Sequence, residues 1–278
     1  MAQNARFSDY WHQGKAEITS YTLEQARYGE VHPGHAVLIY VTEDFSRSKQ
    51  VKLDRPGAAG ADRVPILKLN FTKKFLTGIY PYSMMSSIFS PVDGSTGGQP
   101  LKVTTSSQEW CGHTFTQLNR AGDGYRIRQL SYFESEGDES VTLDDAMTED
   151  GLWTTIRLDP SRLPTGALQL IPGTLYSRLR HLPWELQEAT ATLEPVTGQA
   201  GLMAYELHYP RLGRRLTIHF EKAFPHAIEG WEEAYSSGWG PGAKTLKTRA
   251  TRLKSLLSDY WARHDLADVN LRQELGLE

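Results

Sequence analysis

Leu202-Met203-Ala204-Tyr205-Glu206-Leu207-His208-Tyr209, followed by Pro210-Arg211-Leu212-Gly213 and Arg214-Arg215-Leu216-Thr217-Ile218-His219-Phe220-Glu221, reads as two strands and the loop between them. Alternation places Tyr205, Leu207, Tyr209, Leu216, Ile218 and Phe220 on one face, and Glu206, His208, Arg215, Thr217, His219 and Glu221 on the other. A period of two this regular means one face packed and one wet, as in an antiparallel sheet covered on a single side. A symmetric loop sets Glu206 opposite Thr217 and diagonal to Arg215. Cross-strand pairs of this kind are worth roughly 0.2–1 kcal/mol and help hold the register.

The same rhythm extends outward. A second hairpin joins 114–119 to 125–133 through Ala121-Gly122-Asp123-Gly124, where Asp and Gly accept positive φ. Ala36-Val37-Leu38-Ile39-Tyr40-Val41 is apolar on both faces, which predicts a central strand covered on both sides. Gly- and Pro-rich breaks recur at 55–57, 91–100, 195–201 and 236–242 with β-rich runs between them, and none is long enough to mark a domain linker. Helix is the minority. Asp145 or Thr148 caps a short helix carrying Leu152, Trp153 and Ile156 that ends before Asp159-Pro160. A C-terminal helix is expected near 265–275, stopped by Gly276. The segment 245–257 fits either period and is read as strand. The expectation is a mainly β chain: one β-rich domain over residues 1–278, built as a large curved antiparallel sheet (a meander, barrel-like or clamshell) with a few short helices.

Composition narrows the function. The 278 residues carry 30 basic and 33 acidic side chains, a formal charge of −3, which speaks against the basic face of a nucleic-acid binder. No apolar run approaches the ~20 residues of a transmembrane helix. Seven Trp, 13 Tyr and nine Phe supply more aromatic surface than a disordered chain carries. The single cysteine, Cys111, allows no internal disulfide and leaves the redox compartment open.

Reactive side chains are densest in Gln108-Glu109-Trp110-Cys111-Gly112-His113. A nucleophilic Cys111 needs His113 within hydrogen-bond reach, but on a strand residues i and i+2 stand about 7 Å apart. Cys111, His113 and Glu109, the last paired with Glu134, are therefore secondary catalytic candidates beside the plainer reading of a structural thiol next to an anchoring Trp. His32-Pro33-Gly34-His35 has the spacing of a metal pair, but Pro-Gly predicts a turn and no third ligand is near, so no metal is assigned. Glu134-Ser135-Glu136-Gly137-Asp138-Glu139 reads as a solvated loop without the spacing of a calcium loop. Tyr80, Tyr82 and Met84 belong to a soft aromatic stretch that ends at Phe89. Together with Trp110, and with Arg126 and Arg128 on one strand face, they are the candidate ligand-binding residues. There is no nucleophile elbow, P-loop, zinc helix or dinucleotide fingerprint, and no cofactor is expected.

Several strings resemble a group of uncharacterised exported proteins and lipoproteins of the Bacteroidota and their relatives. They are Gly14-Lys15-Ala16-Glu17-Ile18, Gln25-Ala26-Arg27-Tyr28-Gly29-Glu30, Val41-Thr42-Glu43-Asp44-Phe45-Ser46, Gly78-Ile79-Tyr80-Pro81-Tyr82-Ser83-Met84-Met85, 108–113, Ser131-Tyr132-Phe133-Glu134, Glu136-Gly137-Asp138 and Gly230-Trp231-Glu232-Glu233. Members of that group sometimes carry the label "septum formation inhibitor Maf". True Maf pyrophosphatases open with a segment like L-A-S-x-S-P-R-R, which this chain lacks, so that activity is rejected. The resemblance implies export, with a periplasmic or outer-membrane-anchored location; without it a cytoplasmic location fits equally well. It carries over no catalytic residues. The function expected is a non-enzymatic cell-envelope protein that binds an apolar, lipid-like or glycan ligand or a protein partner. The alternatives are a hydrolase or transferase using Cys111 and His113 or a carboxylate pair, and a structural subunit of an envelope assembly.

Overall fold

A computed structural model of the chain describes residues 2–277. Its strands are β1 (Ala16–Arg27), β2 (Glu30–Ser46), β3 (Arg63–Thr77), β4 (Tyr80–Pro91), β5 (Lys102–Glu109), β6 (Gly112–Ala121), β7 (Gly124–Ser131), β8 (Glu139–Leu143), β9 (Met147–Thr148), β10 (Gly166–Ile171), β11 (Gln187–Pro195), β12 (Leu202–Tyr209), β13 (Arg214–Glu221), β14 (Ile228–Ser237) and β15 (Lys244–Ser258). The helices are α1 (Ala2–Trp11), α2 (Asp150–Leu158), α3 (Thr174–Arg180) and α4 (Asn270–Glu274).

All 15 strands form one sheet, in the order β8 down to β1 and then β15 down to β9. The first and last strands therefore zip together at its centre, and the middle of the chain supplies both edges. Every pairing is antiparallel except β9 with β10. Residues 144–146 alone carry the chain from edge strand β8 to edge strand β9, a reach of roughly 14 Å at full extension. The two edges thus lie close together without pairing. Core contacts require the same curl. Phe71 on β3 and Trp231 on β14 are four strand steps apart, about 19 Å along a flat sheet. Their rings are 5.1 Å apart. The sheet is a nearly closed clamshell, as the period-two pattern led one to expect.

The hairpin at 202–221 forms with the anticipated strands, and Glu206 pairs with Thr217 and makes an ion pair with Arg215. The Ala36–Val41 run is covered on both faces. Ala36, Leu38 and Tyr40 enter the main core, while Val37 and Val41 pack outside it against Leu275 and Leu277. Segment 245–257 is strand β15. The C-terminal helix is split: a 3-10 turn at Leu266–Val269 precedes α4, and Gly276 ends it at φ +66°. Pro33-Gly34, expected as a turn, instead runs within β2. The turn forms five residues earlier at Tyr28-Gly29, where both residues take positive φ, as a two-residue hairpin loop requires. Gly34 is needed inside the strand because a Cβ there would stand 2.2 Å from the Lys74 carbonyl oxygen.

The clamshell is filled. Every α2 residue from Asp150 to Arg157 is buried, Thr148 accepts the Gly151 N–H at its start (3.0 Å), and Trp153 wedges between Phe71 and Trp231. Two buried guanidinium groups tie the filling to the wall. Arg157 makes a two-pronged pair with Glu17, both contacts 2.6 Å. Arg214 bridges Glu149 (2.7 Å) and Glu233 (2.6 Å), and Tyr209 donates to Glu149 (2.7 Å). Pairing of this kind offsets the cost of desolvating the charges, and loss of one partner leaves the other stranded. Burial pushes the neighbouring Asp150 up to about 7, with the Glu149 charge adding to the effect; burial also lowers the Lys73 ammonium. No helix among the described residues is long and apolar enough to cross a membrane.

Candidate functional site

With helices occupying the interior, the open space lies on the outside of the sheet. On β4, Tyr82, Met84, Ser86 and Ile88 face inward while Ser83 and Met85 face out. On β5 and β6, Val103, Thr105, Ser107, Thr114, Thr116 and Leu118 face inward. Register then builds the outer surface in rows. Met85 stands opposite Ser106, Ser106 opposite Phe115, and Phe115 opposite Leu130, so one row across β4 to β7 is largely apolar. The next row, Ser83, Gln108 and His113, is polar. With Asp138 from the 131–138 loop, these side chains line a cleft of about 570 Å³. Clefts of roughly 300–1,000 Å³ with apolar walls and a few polar groups are the usual seats of small ligands.

The β7–β8 loop that borders the cleft is held in place. Glu136 pairs with Arg178 and His181 of the α3 end, Ser131 donates to Glu136 (3.0 Å), and the Ser131 N–H donates to Asp138 (3.3 Å). The carboxylate run at 134–139 is thus partly consumed by local structure.

The residues singled out from sequence fall in four places. Met84 borders the cleft from its buried side, and His113 lies in its polar row. Tyr80 and Tyr82 belong to a neighbouring hydroxyl cluster. Tyr80 donates to Tyr28 (2.8 Å), the Tyr28 and Tyr82 hydroxyls are 2.6 Å apart, and Arg27 donates to Tyr28 (3.3 Å) and Tyr82 (3.2 Å). Trp110 and Cys111 form the exposed β5–β6 turn. Arg126 and Arg128 share the outer face of β7 with Leu130, and neither lines the cleft. Met85 and Gln108 enter the sequence reading only as members of longer strings, and Phe115 and Leu130 are not singled out there. The signal was an apolar residue on the face opposite Thr114 and Thr116, which reads as a packing error unless the hydroxyls are the buried side.

The thiol and the imidazole do not form a nucleophilic pair. Among the described residues no hydrogen bond joins Cys111 to His113. Glu109 accepts the Cys111 N–H (2.7 Å), and its hydrogen bond to the thiol pushes that group above its ordinary value, the reverse of nucleophile activation. His32 donates through Nε2 to the Arg27 carbonyl oxygen (3.1 Å), and three residues on His35 faces the opposite side of β2, so the two imidazoles share no site.

No family model and no curated protein match the chain. Among solved structures it is similar to a β-barrel-like protein of a domain of unknown function, DUF1849, from Brucella abortus. The likeness covers 88% of this chain and 97% of that one at a TM-score of 0.50, with 8% identity, and so speaks to fold alone.

Proposed function

We propose that the protein is a non-enzymatic binding protein of the cell envelope that seats an apolar, lipid-like ligand in the outer cleft of β4 to β7. The observation that carries this reading is the row Met85–Phe115–Leu130: large apolar side chains left open to solvent above a wall of buried hydroxyls, with Met85 41% and Phe115 39% exposed. Apolar surface left uncovered this way loses its hydration cost when a ligand settles on it, about 25 cal/mol per Å². Ser83, Gln108, His113 and Asp138 along one margin suit a polar headgroup, fixing orientation rather than supplying affinity. Cys111 sits on the exposed β5–β6 turn with no hydrogen bond to His113 among the described residues, which favours binding over acyl transfer.

Mass spectrometry of the gently purified protein tests the reading. A lipid-like mass retained by the wild type and lost from Met85→Ser/Phe115→Ser is the expected result. Retention of the same mass by that variant, or selective capture of an oligosaccharide, contradicts it. Fractionation of the native cell tests location, with the envelope fraction expected.

A further inference from the structure

Connections between antiparallel neighbours alternate between the two ends of a sheet, so the turns after β1, β3, β5, β7, β12 and β14 and the α3 connection after β10 share one end. That end carries large apolar side chains at its tips: Ile79 (81% exposed), Trp239 (71%), Trp110 (68%) and Tyr132 (60%). They fall into two groups along this end. The Tyr28 ring is 5.2 Å from Trp239 and 6.5 Å from Tyr80, and the Tyr132 ring lies across Gly112 at the base of the Trp110 turn. The turns at the opposite end are more polar, with Arg47-Ser48-Lys49-Gln50, Asp93, Gly122-Asp123 and Gly198-Gln199, although Val51 (43%) and, just past β15, Trp261 (52%) are exposed there. We propose that this apolar rim seats on the surface of a zwitterionic lipid bilayer.

The tips are single side chains on separate turns, so they make neither a groove nor a flat face of the kind a folded partner packs against. Trp and Tyr set at the end of a protein match the boundary between lipid headgroups and acyl chains. Charge points the same way. The rim's carboxylates turn inward: Glu109 takes the Cys111 N–H, Glu136 is held by Arg178 and His181, and Asp138 takes the Ser131 N–H. The charges left outermost are mixed, with Glu30, Glu134 and Glu185 against Lys244 and Arg211, which gives no single-sign field for an anionic membrane to attract. A neutral rim complements a neutral surface. The outer cleft reaches this rim through Gln108, His113 and Asp138, but the rim's seating does not depend on the cleft being occupied.

Flotation of the full chain with phosphatidylcholine vesicles tests the proposal. The wild type should float with the vesicles equally at roughly 0.1 and 0.5 M salt, because screening acts on charge and leaves apolar insertion in place. Trp110→Ser/Trp239→Ser should lower the partition about tenfold or more, the loss of two interfacial tryptophans. The cleft variant Met85→Ser/Phe115→Ser should float like the wild type, which separates failure of the rim from failure of the cleft. The proposal is overturned if the wild type stays soluble, if it floats only with anionic vesicles and is released by salt, if the tryptophan variant floats unchanged, or if the rim instead joins two copies in a dimer that the same variant dissolves.

Discussion

The hairpins β5–β6 and β12–β13 share the same antiparallel pairing and bury opposite chemistries. The inner face of β12–β13 carries Tyr205, Leu207, Tyr209, Leu216, Ile218 and Phe220, with one charged intruder, Arg214. The inner face of β5–β6 carries Thr105, Ser107, Thr114 and Thr116 between Val103 and Leu118. Thr105 is buried where the start of α3 meets it: the Thr105 and Thr174 hydroxyls are 2.6 Å apart, Ser86 joins both, and Asp150 accepts the Thr174 N–H at 3.0 Å, while Thr116 donates to Gln129 (3.4 Å). A sheet face lined with donors and acceptors satisfies a helix end that an apolar face could not. The consequence appears on the other side of the strands, where Phe115 and Met85 are left outside and form a cleft.

The largest effect expected from this contrast is at Arg214. Arg214→Met strands the Glu149 and Glu233 carboxylates in the core and should cost about 3–5 kcal/mol in urea unfolding. Arg126→Met, on the open face of β7, should stay within about 0.5 kcal/mol. Equal costs would deny the buried ionic node. Next come the two inner faces themselves. Leu207→Thr puts an unpartnered hydroxyl and a void into an apolar layer, at about 2–4 kcal/mol, whereas Thr105→Val strips one member from a hydroxyl cluster, at about 1–2 kcal/mol. A reversed order would mean that the two faces are alike.

Asp150 sharpens the comparison through pH. Its folded value is raised from 3.8 to about 7, so the folded chain holds a proton that the unfolded chain has released. The stability it contributes is present in full below about pH 4 and is lost as pH rises through about 7. Relative to Asp150→Asn, the wild type should weaken between pH 4.5 and 7.5. Urea titrations across that range check it, and a constant difference between the two proteins contradicts it. The smallest effect expected is that of Phe115→Ser on stability, within about 0.5 kcal/mol. Thermal unfolding alongside Ile218→Ser, which empties a fully buried site, supplies the contrast.

Period-two reading located the β12–β13 hairpin to the residue because its hydropathy and its burial agree. The same reading recognised the 114–119 strand but had no way to orient it, since Thr and Ser satisfy either face and only the position of α3 decides. Arg214 was hidden for a related reason. It sits at a strand start on the apolar face, and its partners Glu149 and Glu233 lie 65 and 19 residues away. Tyr80, Tyr82 and Met84 lie on a strand that borders the cleft, next to the outward Ser83 and Met85. Trp110 reads in the sequence as a companion of Cys111, whereas its exposure belongs with that of Ile79, Tyr132 and Trp239, which the topology brings to the same end of the sheet.

The central claim is that this clamshell keeps its interior for its own helices and binds on the outside. Methyl-labelled methionine NMR during titration with a single-chain amphiphile tests it most directly, with the Trp153 and Trp231 indole signals recorded in the same samples. The account predicts that the Met85 methyl moves with ligand while both indoles hold their positions. Movement of Trp153 and Trp231 with Met85 unmoved would place the ligand inside the sheet and contradict it.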